Sequence, residues 1–367
     1  MKLQNLKLSN YRNYDSLEID FSDTLNLIYG NNGSGKSNLV EAIYLLALTK
    51  SFRTNNDNIL IKKNTQLASV TGNIIQNEEK IKYQIELSKA GKKVYIDSDR
   101  VAKISDYVSK IYIILFNPLD TKIINDSPAS RRRMLNIDIS QINKEYLILL
   151  SNYNKVLKHR NAYLKQLYLN GNASSDYLNI LTKKLVDIGY QIYEIRKSFI
   201  DQINEQISNI YQNIFEFGSL KVKYKSSYDG KTIDKVIQTY QKNYRQEMTF
   251  GKTLSGIHHD DIEFILDENN IKEYGSVGQQ KNSIISFKLS ELIIIKKMKG
   301  EYPILILDDL FSELDNNKIN NIINMLNKEV QTFITTTNIE SINKDLLQRC
   351  ELYKVNDNKV ERVTANG

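Results

Sequence analysis

Three short stretches bring together residue types whose spacing allows chemistry. The first is Gly30-Asn31-Asn32-Gly33-Ser34-Gly35-Lys36-Ser37, after a buried-strand-like run from Leu25 to Tyr29 and before an apolar helix. It is the full G-x-x-x-x-G-K-[ST] pattern in the strand, loop, helix context that the pattern requires. Its glycines let backbone N–H groups point inward at phosphate oxygens. Lys36 supplies a point charge for the β- and γ-phosphates, the helix start adds its dipole, and Ser37 offers a hydroxyl to Mg²⁺. The second stretch, "YPILILDDLFSELD", is an unbroken apolar strand from Ile304 to Leu307 that ends in Asp308-Asp309. Carboxylates at the C-terminal end of a buried parallel strand sit where α/β sheets bind ligands. On a strand neighbouring the phosphate loop, Asp308 is the Mg²⁺-associated carboxylate, and Asp309 is the group that orients or deprotonates the attacking water.

The third stretch is Ser276-Val277-Gly278-Gln279-Gln280, at the mouth of a helix with apolar residues Ile284, Ile285, Phe287, Leu289 and Leu292. Capping gives the serine a sufficient role, about 1 kcal/mol, but leaves the glycine and the paired glutamines unaccounted for. A second helix start with a small hydroxyl residue and a glycine is a second anion site. One triphosphate per chain already has its cradle, so this one is expected to serve the triphosphate of a second copy.

The elements that must position these groups fall into three zones. Up to about residue 118 the chain reads as short strands ("LKLSNY", "LEIDF", "TLNLIYG", "IKYQIELS", "KKVYIDS", "IYIILFNP") with one helix after residue 35. From about 140 to 215 the period becomes helical. One stripe runs through Tyr146, Leu149, Tyr153, Val156, Leu157, Leu164 and Leu167, and a second from Leu181 to Ile214 follows the break "NGNASSD". Two long helices joined by a short polar turn pack as an antiparallel hairpin. Strands return from about residue 261 ("DIEFILD", "PILILDD", "QTFITTT", "ELYKV"). The expectation is one α/β domain made of residues 1–118 and 261–367, into which a helical arm, 119–260, is inserted.

The 367 residues are 41% hydrophobic and 25% charged, the composition of a globular chain that can bury a real core. Three prolines and no Pro/Ser-rich tract exclude long linkers. The lone Cys350 can form no internal bridge, the start "MKLQNLKLSNYRNY" lacks a signal-peptide core, and no run reaches membrane-spanning length. The chain therefore reads as cytoplasmic, with no membrane partner. A net charge of +7 favours polyanionic partners only mildly.

With the phosphate loop, S-x-G-Q-Q, the strand ending in Asp-Asp, and Ser312-Glu313-Leu314-Asp315 together, the chain resembles ATP-binding-cassette heads of the SMC type. "NYRNY" near the start, "KSFRT" at 50–54, "FNPLD" at 116–120, "SPASRRRMLN" at 127–136, "VLKHRNAYLK" at 156–165 and "GIHHDD" at 256–261 make it similar, end to end, to the RecF family of bacterial recombination mediators. Two departures stand out. Gly256-Ile257-His258-His259 replaces the usual Gly-Pro-His-Arg, and Asn136 replaces a usual aspartate. No histidine follows "TFITTT", where Thr336 or Thr337 stands near the position of a phosphate-sensing residue.

The resemblance implies an α/β ABC-type P-loop ATPase head split between the two ends of the chain, with an inserted antiparallel helical arm. It implies a slow ATPase, using ATP and Mg²⁺, that forms a homodimer around two ATPs. Such a dimer binds double-stranded or gapped DNA and single-strand/double-strand junctions, and works with RecR and RecO to load RecA. It gives as nucleotide residues Gly30, Asn31, Asn32, Gly33, Ser34, Gly35, Lys36, Ser37, Asn38, Arg53, Ser276, Gly278, Gln279, Asp308 and Asp309, with Asp315 at the dimer seam beside Ser276.

The basic clusters Arg131, Arg132, Arg133 and Lys155, Lys158, Arg160, Lys165 are fit for phosphate contacts that position without reading sequence, or are solvated helix faces with a structural arginine. No recognition helix, finger or base-stacking motif accompanies them, so little sequence preference is expected. Other classes predict other features. A transporter ATPase subunit keeps its two motifs closer together and has a switch histidine. A DNA-tethering SMC-type ATPase carries a far longer coiled coil, and a structural protein with a degenerate site lacks complete ATP motifs.

Overall fold

The computed structural model describes residues 1–170, 175–215, 217–309, 314–326, 328–340 and 342–363. The chain forms two compact units, one of Met1–Thr121, Asn209–Phe217 and Ile284–Gly367, the other of Lys122–Ser208 and Gly218–Ser283.

The first unit holds two six-stranded sheets. In one, the order is Lys359–Val363, Cys350–Asn356, Leu25–Tyr29, Thr332–Thr336, Ile304–Leu307, Ile113–Phe116, all parallel except the first, which folds back on its neighbour. The four strands after Cys350–Asn356 are buried almost throughout, which is why they read as continuous apolar runs. The other sheet is antiparallel, in the order Tyr14–Asp20, Lys2–Tyr11, Leu67–Gln76, Glu79–Ser88, Gly91–Ile96, Asp99–Arg100. Its strand Leu67–Gln76 alternates buried and half-buried positions, as one covered face demands.

Two-residue turns at Asn77-Glu78, Asp97-Ser98, Asp267-Glu268 and Asp357-Asn358 have both residues at positive φ, the primed geometry that matches strand twist. Asn or Asp occupies at least one position of each, because short polar side chains tolerate that region best. Two devices hold the layers of this unit together, one at the phosphate-loop helix, Lys36–Leu48, and one between the two sheets. A Cβ on Gly72 of the antiparallel sheet would lie 2.5 Å from Leu46, so only glycine admits the helix this closely. The fully buried amide of Gln331, just before Thr332–Thr336, accepts from Leu3 N–H (2.7 Å) and donates to the carbonyls of Leu3 and Ser22 (both 2.8 Å).

The second unit contains helices Pro128–Ile142, Lys144–Asn170 and Ile233–Phe250, and helix Ser175–Phe215 up to Ser208. Arg160 meets Thr182 and Tyr163 meets Tyr177, so the two long helices run antiparallel as the stripes require. Residues 171–174 of the joining turn lie outside the described residues. The strand Asp261–Leu266, expected with the head, pairs instead with Leu220–Lys225 and Asn269–Asn270 in a three-stranded sheet of this unit. Among the described residues, no helix is long and apolar enough to cross a membrane.

Candidate active site

The loop after Leu25–Tyr29 leaves the sheet at Gly30 (φ 154), turns through Gly33 (φ 79) and enters the helix at Gly35 (φ 116). The last two conformations lie where L side chains are strained. Lys36, only 8% exposed, folds over this loop, and its Nζ donates to the carbonyls of Gly30 (2.8 Å) and Asn31 (2.9 Å). Burial holds its ammonium below the usual lysine range, and the nearby Asp309 and Asp308 oppose that shift. Asn31, Asn32 and Gly33 are exposed, Ser37 and Asn38 half-buried, and Ser34 and Gly35 buried.

Asp308 ends the strand Ile304–Leu307, which is not the direct neighbour of Leu25–Tyr29 expected from the sequence. Thr332–Thr336 lies between them. That inserted strand brings a residue the sequence reading missed. Thr335 Oγ1 donates to Asp308 Oδ1 (2.7 Å) and accepts from Asp309 N–H (2.8 Å), so one hydroxyl sets both acids. Thr336, named in advance, instead bonds Asn338 at the strand end. Burial pushes the Asp308 carboxyl above its ordinary range against the Thr335 bond, and Asp309 pushes it further up while Arg53 and Lys36 pull it down. A desolvated carboxyl beside an acidic neighbour is stabilised by a cation, and a carboxylate with a serine hydroxyl is the hard-oxygen set that suits magnesium. The donor chemistry of Asp308 and Ser37 is thus of the kind that magnesium takes.

Arg53 Nη1 donates to Asn38 Oδ1 (2.8 Å) on the phosphate-loop helix and lies 3.8 Å from Glu41 Oε2. Glu41 is fully buried, takes a two-pronged bond from Arg12 (2.8 and 2.7 Å), and also accepts from the hydroxyl of Ser51. Ser51 Oγ in turn accepts from the N–H groups of Arg53 and Thr54. Arg12 and Ser51 stood inside "NYRNY" and "KSFRT", but only the fold reveals that a carboxylate joins these stretches.

The S-x-G-Q-Q stretch belongs to the second unit and corrects one expectation: local bonding does account for its glutamines. Gln279 Oε1 accepts from Ser276 N–H (2.8 Å) while Ser276 Oγ accepts from Gln279 N–H (3.2 Å), a reciprocal cap. Gln280 donates to Gly275 O (3.2 Å) and accepts from Asn125 (2.7 Å). Gly278 alone stays unexplained by its own chain: the nearest atom to a Cβ there would be Ser276 Oγ at 3.8 Å, and the surface around it is open. Asp315 caps helix Asn316–Met325 by accepting from Lys318 N–H (3.0 Å), and the paired Lys318 ammonium holds its carboxyl below the usual range. Ser312 and Glu313 lie outside the described residues.

Two of the expected DNA contacts are corrected by burial. Arg131 is 4% exposed, forms a two-pronged pair with Asp261 (2.7 and 2.8 Å), and donates to the carbonyls of Ile123, Ile124 and Asp126. Arg160 is 1% exposed, paired with buried Glu247 (2.7 Å), bonded to Thr182 and Thr253, and stacked over Tyr240. Neither guanidinium can reach a nucleic acid. Arg132 is half-buried on Asp260 O (2.8 Å), whereas Arg133, Lys155, Lys158 and Lys165 are exposed.

Of the departures from the family pattern, Asn136 and Ile257 lie in the same interior, whereas His259 is exposed. Asn136 Oδ1 accepts from Tyr146 (2.6 Å) and Arg196 (2.9 Å), and Arg196 also holds Ile257 O and Asp260. Asp260 thus supplies a carboxylate to Arg196, and an amide suffices at 136. His258 and His259 both bond Thr253 O, and burial with the neighbouring His259 pushes His258 down to about 4.

Comparison with known proteins agrees with this architecture. The family model described as the RecF/RecN/SMC N terminal domain matches residues 2–361. The DNA replication and repair protein RecF of Latilactobacillus sakei is 35% identical over 98% of this chain and 98% of its own length. That of Bacillus subtilis is 36% identical over 97% and 98%. Among solved structures, the recombination mediator protein RecF with ATP, of the RecFOR pathway, matches with a TM-score of 0.91 at 28% identity, covering 99% of this chain and 98% of that one. An Smc head bound to the C-winged helix domain of ScpA, 16% identical with a TM-score of 0.59 and covering 100% of this chain and 98% of that one, shares the fold alone. Phosphate loop, split α/β head and full-length similarity together make this chain a member of the RecF family of DNA replication and repair proteins, built on the ABC-type ATPase head.

Proposed function

We propose that this chain is a slow, DNA-stimulated ATPase that dimerises on Mg-ATP, closes on double-stranded or gapped DNA and junctions, and acts with RecO, RecR and RecA-loading partners in the RecFOR pathway named for its relatives. Lys36 and the loop N–H groups bind the triphosphate, Asp308 and Ser37 hold Mg²⁺, and Asp309 orients or deprotonates the attacking water. When bound, the metal supplies charge stabilisation at the transferring phosphoryl group. Arg53 serves the nucleotide from the phosphate-loop helix. Ser276, Gly278 and Gln279 serve the nucleotide of a second copy, with Asp315 at the seam, and Arg133, Lys155 and Lys158 contact the DNA backbone.

The observation that carries the dimer reading is Gly278. Gly278 is the second residue of helix Val277–Lys299, in the first turn, where glycine costs less than the roughly 1 kcal/mol of a helix interior, and no atom of its own chain crowds the position. A group from outside the chain that approaches the backbone closely gives that glycine a purpose. Gly278→Ala is therefore expected to raise the stability of the monomer by less than about 1 kcal/mol while abolishing ATP-induced dimerisation and the ATP-dependent gain in DNA binding. Urea unfolding, sedimentation velocity with and without Mg-ATP, and anisotropy of labelled gapped DNA read the three quantities. Normal dimerisation by Gly278→Ala would sink the trans-nucleotide reading. Wild-type DNA binding indifferent to Mg-ATP would sink the nucleotide-gated clamp.

A further inference from the structure

The phosphate loop is gripped from outside at two successive peptides. The backbone N–H of Asn358 donates to the carbonyl of Ser34 (3.2 Å). The buried phenol of Tyr14 donates to the carbonyl of Gly35 (3.2 Å), an oxygen that also opens the helix by accepting from Asn38 and Leu39. In a trans peptide the C=O and the N–H of the next residue point in opposite directions, and the chain has no cis peptide among its described residues. Holding these two oxygens on the outside therefore turns the N–H groups of Gly35 and Lys36 the other way, as a phosphate cradle requires.

The grip is tight. A Cβ on Gly30 would lie 2.2 Å from Val355 O, and one on Gly35 would lie 2.8 Å from the Tyr14 hydroxyl and 3.1 Å from Asn358 Oδ1. The loop is thus wedged between Tyr14 and the hairpin formed by Cys350–Asn356 and Lys359–Val363. Asp357 and Asn358 form the hairpin turn at φ 46 and 63, so backbone geometry delivers the N–H that reaches Ser34. Inside the wedge, the hydroxyl of Ser34, a residue 8% exposed, has no hydrogen-bond partner. A buried donor left unpaired is costly, and a ligand acceptor relieves it.

We propose that Tyr14 and Asn358 are positioning residues of the nucleotide site, which orient the phosphate-binding peptides of the loop and make triphosphate affinity depend on the C-terminal hairpin. This deepens the nucleotide reading above and rests on it. The test titrates the full-length chain with the fluorescent probe mant-ATP in Mg²⁺ and follows ATP hydrolysis, comparing Tyr14→Phe, Asn358→Pro and Asn358→Gly. Proline removes the N–H and cannot adopt φ 63, whereas glycine keeps both.

Loss of one such bond is expected to weaken mant-ATP binding and raise KM for ATP by about five- to tenfold, with kcat within about twofold, in Tyr14→Phe and in Asn358→Pro. Asn358→Gly should bind several times more tightly than Asn358→Pro, with a cooperative thermal melt of the proline variant, alongside the conservative Tyr14→Phe, setting the effect apart from a loss of folding. If wild type binds the probe and Tyr14→Phe binds it equally well, or if the glycine and proline variants at 358 are equally weak, the positioning role is overturned. Absence of binding by the wild type would instead overturn the nucleotide reading, and this proposal with it.

Discussion

Lys36→Met lowers ATP turnover by about 10²–10³-fold while leaving the melting temperature within a few degrees of wild type. Methionine keeps the length and the apolar stem of the side chain, so packing around a residue only 8% exposed survives. The cation is what disappears. The carbonyls of Gly30 and Asn31 lose their shared donor, and Asp308 and Asp309 lose the charge that offsets their proximity. On the proposed function, the same ammonium meets the charge building on the transferring phosphoryl oxygens, where burial strengthens each electrostatic contact. Steady-state hydrolysis with and without gapped DNA, beside a thermal melt, measures both halves of the expectation. A variant that keeps more than a tenth of wild-type turnover contradicts the role given to Lys36, and one that no longer melts cooperatively shows the lysine to be structural.

Arg160→Met is expected to act in the opposite sense, costing about 3–5 kcal/mol of stability with no direct effect on DNA contacts. The guanidinium holds Glu247, Thr182 and Thr253 at 2.7–3.0 Å and lies over Tyr240. Its removal leaves Glu247, itself fully buried, with Leu254 N–H but without its compensating charge. Adding Glu247→Leu to the same chain removes the orphaned charge and should recover at least about half of the loss, because a buried pair is worth far less than either of its halves is harmful. Denaturant unfolding of the single and double variants gives the two numbers. A near-neutral single variant would mean that water reaches Glu247. A variant that folds normally yet lowers the salt slope of DNA binding by about one would restore Arg160 as a phosphate contact.

This arginine also marks where sequence reading stops. In a helical stripe an arginine reads as polar surface, because the pattern records spacing and not partners. The carboxylate that draws Arg160 inside stands 87 residues away, and the one that draws in Arg131 stands 130 away. The phosphate loop and the strand before Asp308 were legible for the converse reason: each is a continuous local pattern whose chemistry and conformation come from the same few residues. Strand Leu67–Gln76 escaped notice, although it alternates properly, because Thr71-Gly72-Asn73 interrupts its apolar text, and the reason for Gly72 is Leu46 on a helix elsewhere. Helix Ile233–Phe250 escaped because its stripe, Val236, Tyr240, Tyr244 and Met248, is thin and set among Lys, Gln, Asn and Arg. Of the groups around the site, Thr335, Tyr14 and Asn358 were invisible because their roles come from strand order and hairpin placement, and neither leaves a mark in local spacing.

The position of Leu25–Tyr29 between Thr332–Thr336 and Cys350–Asn356 has a consequence for how the molecule comes into being. Leu25 lies opposite Thr332 on one side and Cys350 on the other. At about 5–20 residues per second, the strand leaves the ribosome tens of seconds before either flanking strand exists. Until then its amide groups have no ladder to join, and the loop after it has no hairpin to lean on. The nascent protein therefore cannot assemble its phosphate cradle piecemeal. Closing so long a stretch of chain is a slow, late event, and a product that breaks off before residue 350 carries the whole glycine-rich signature without the flanking strand and hairpin that brace it.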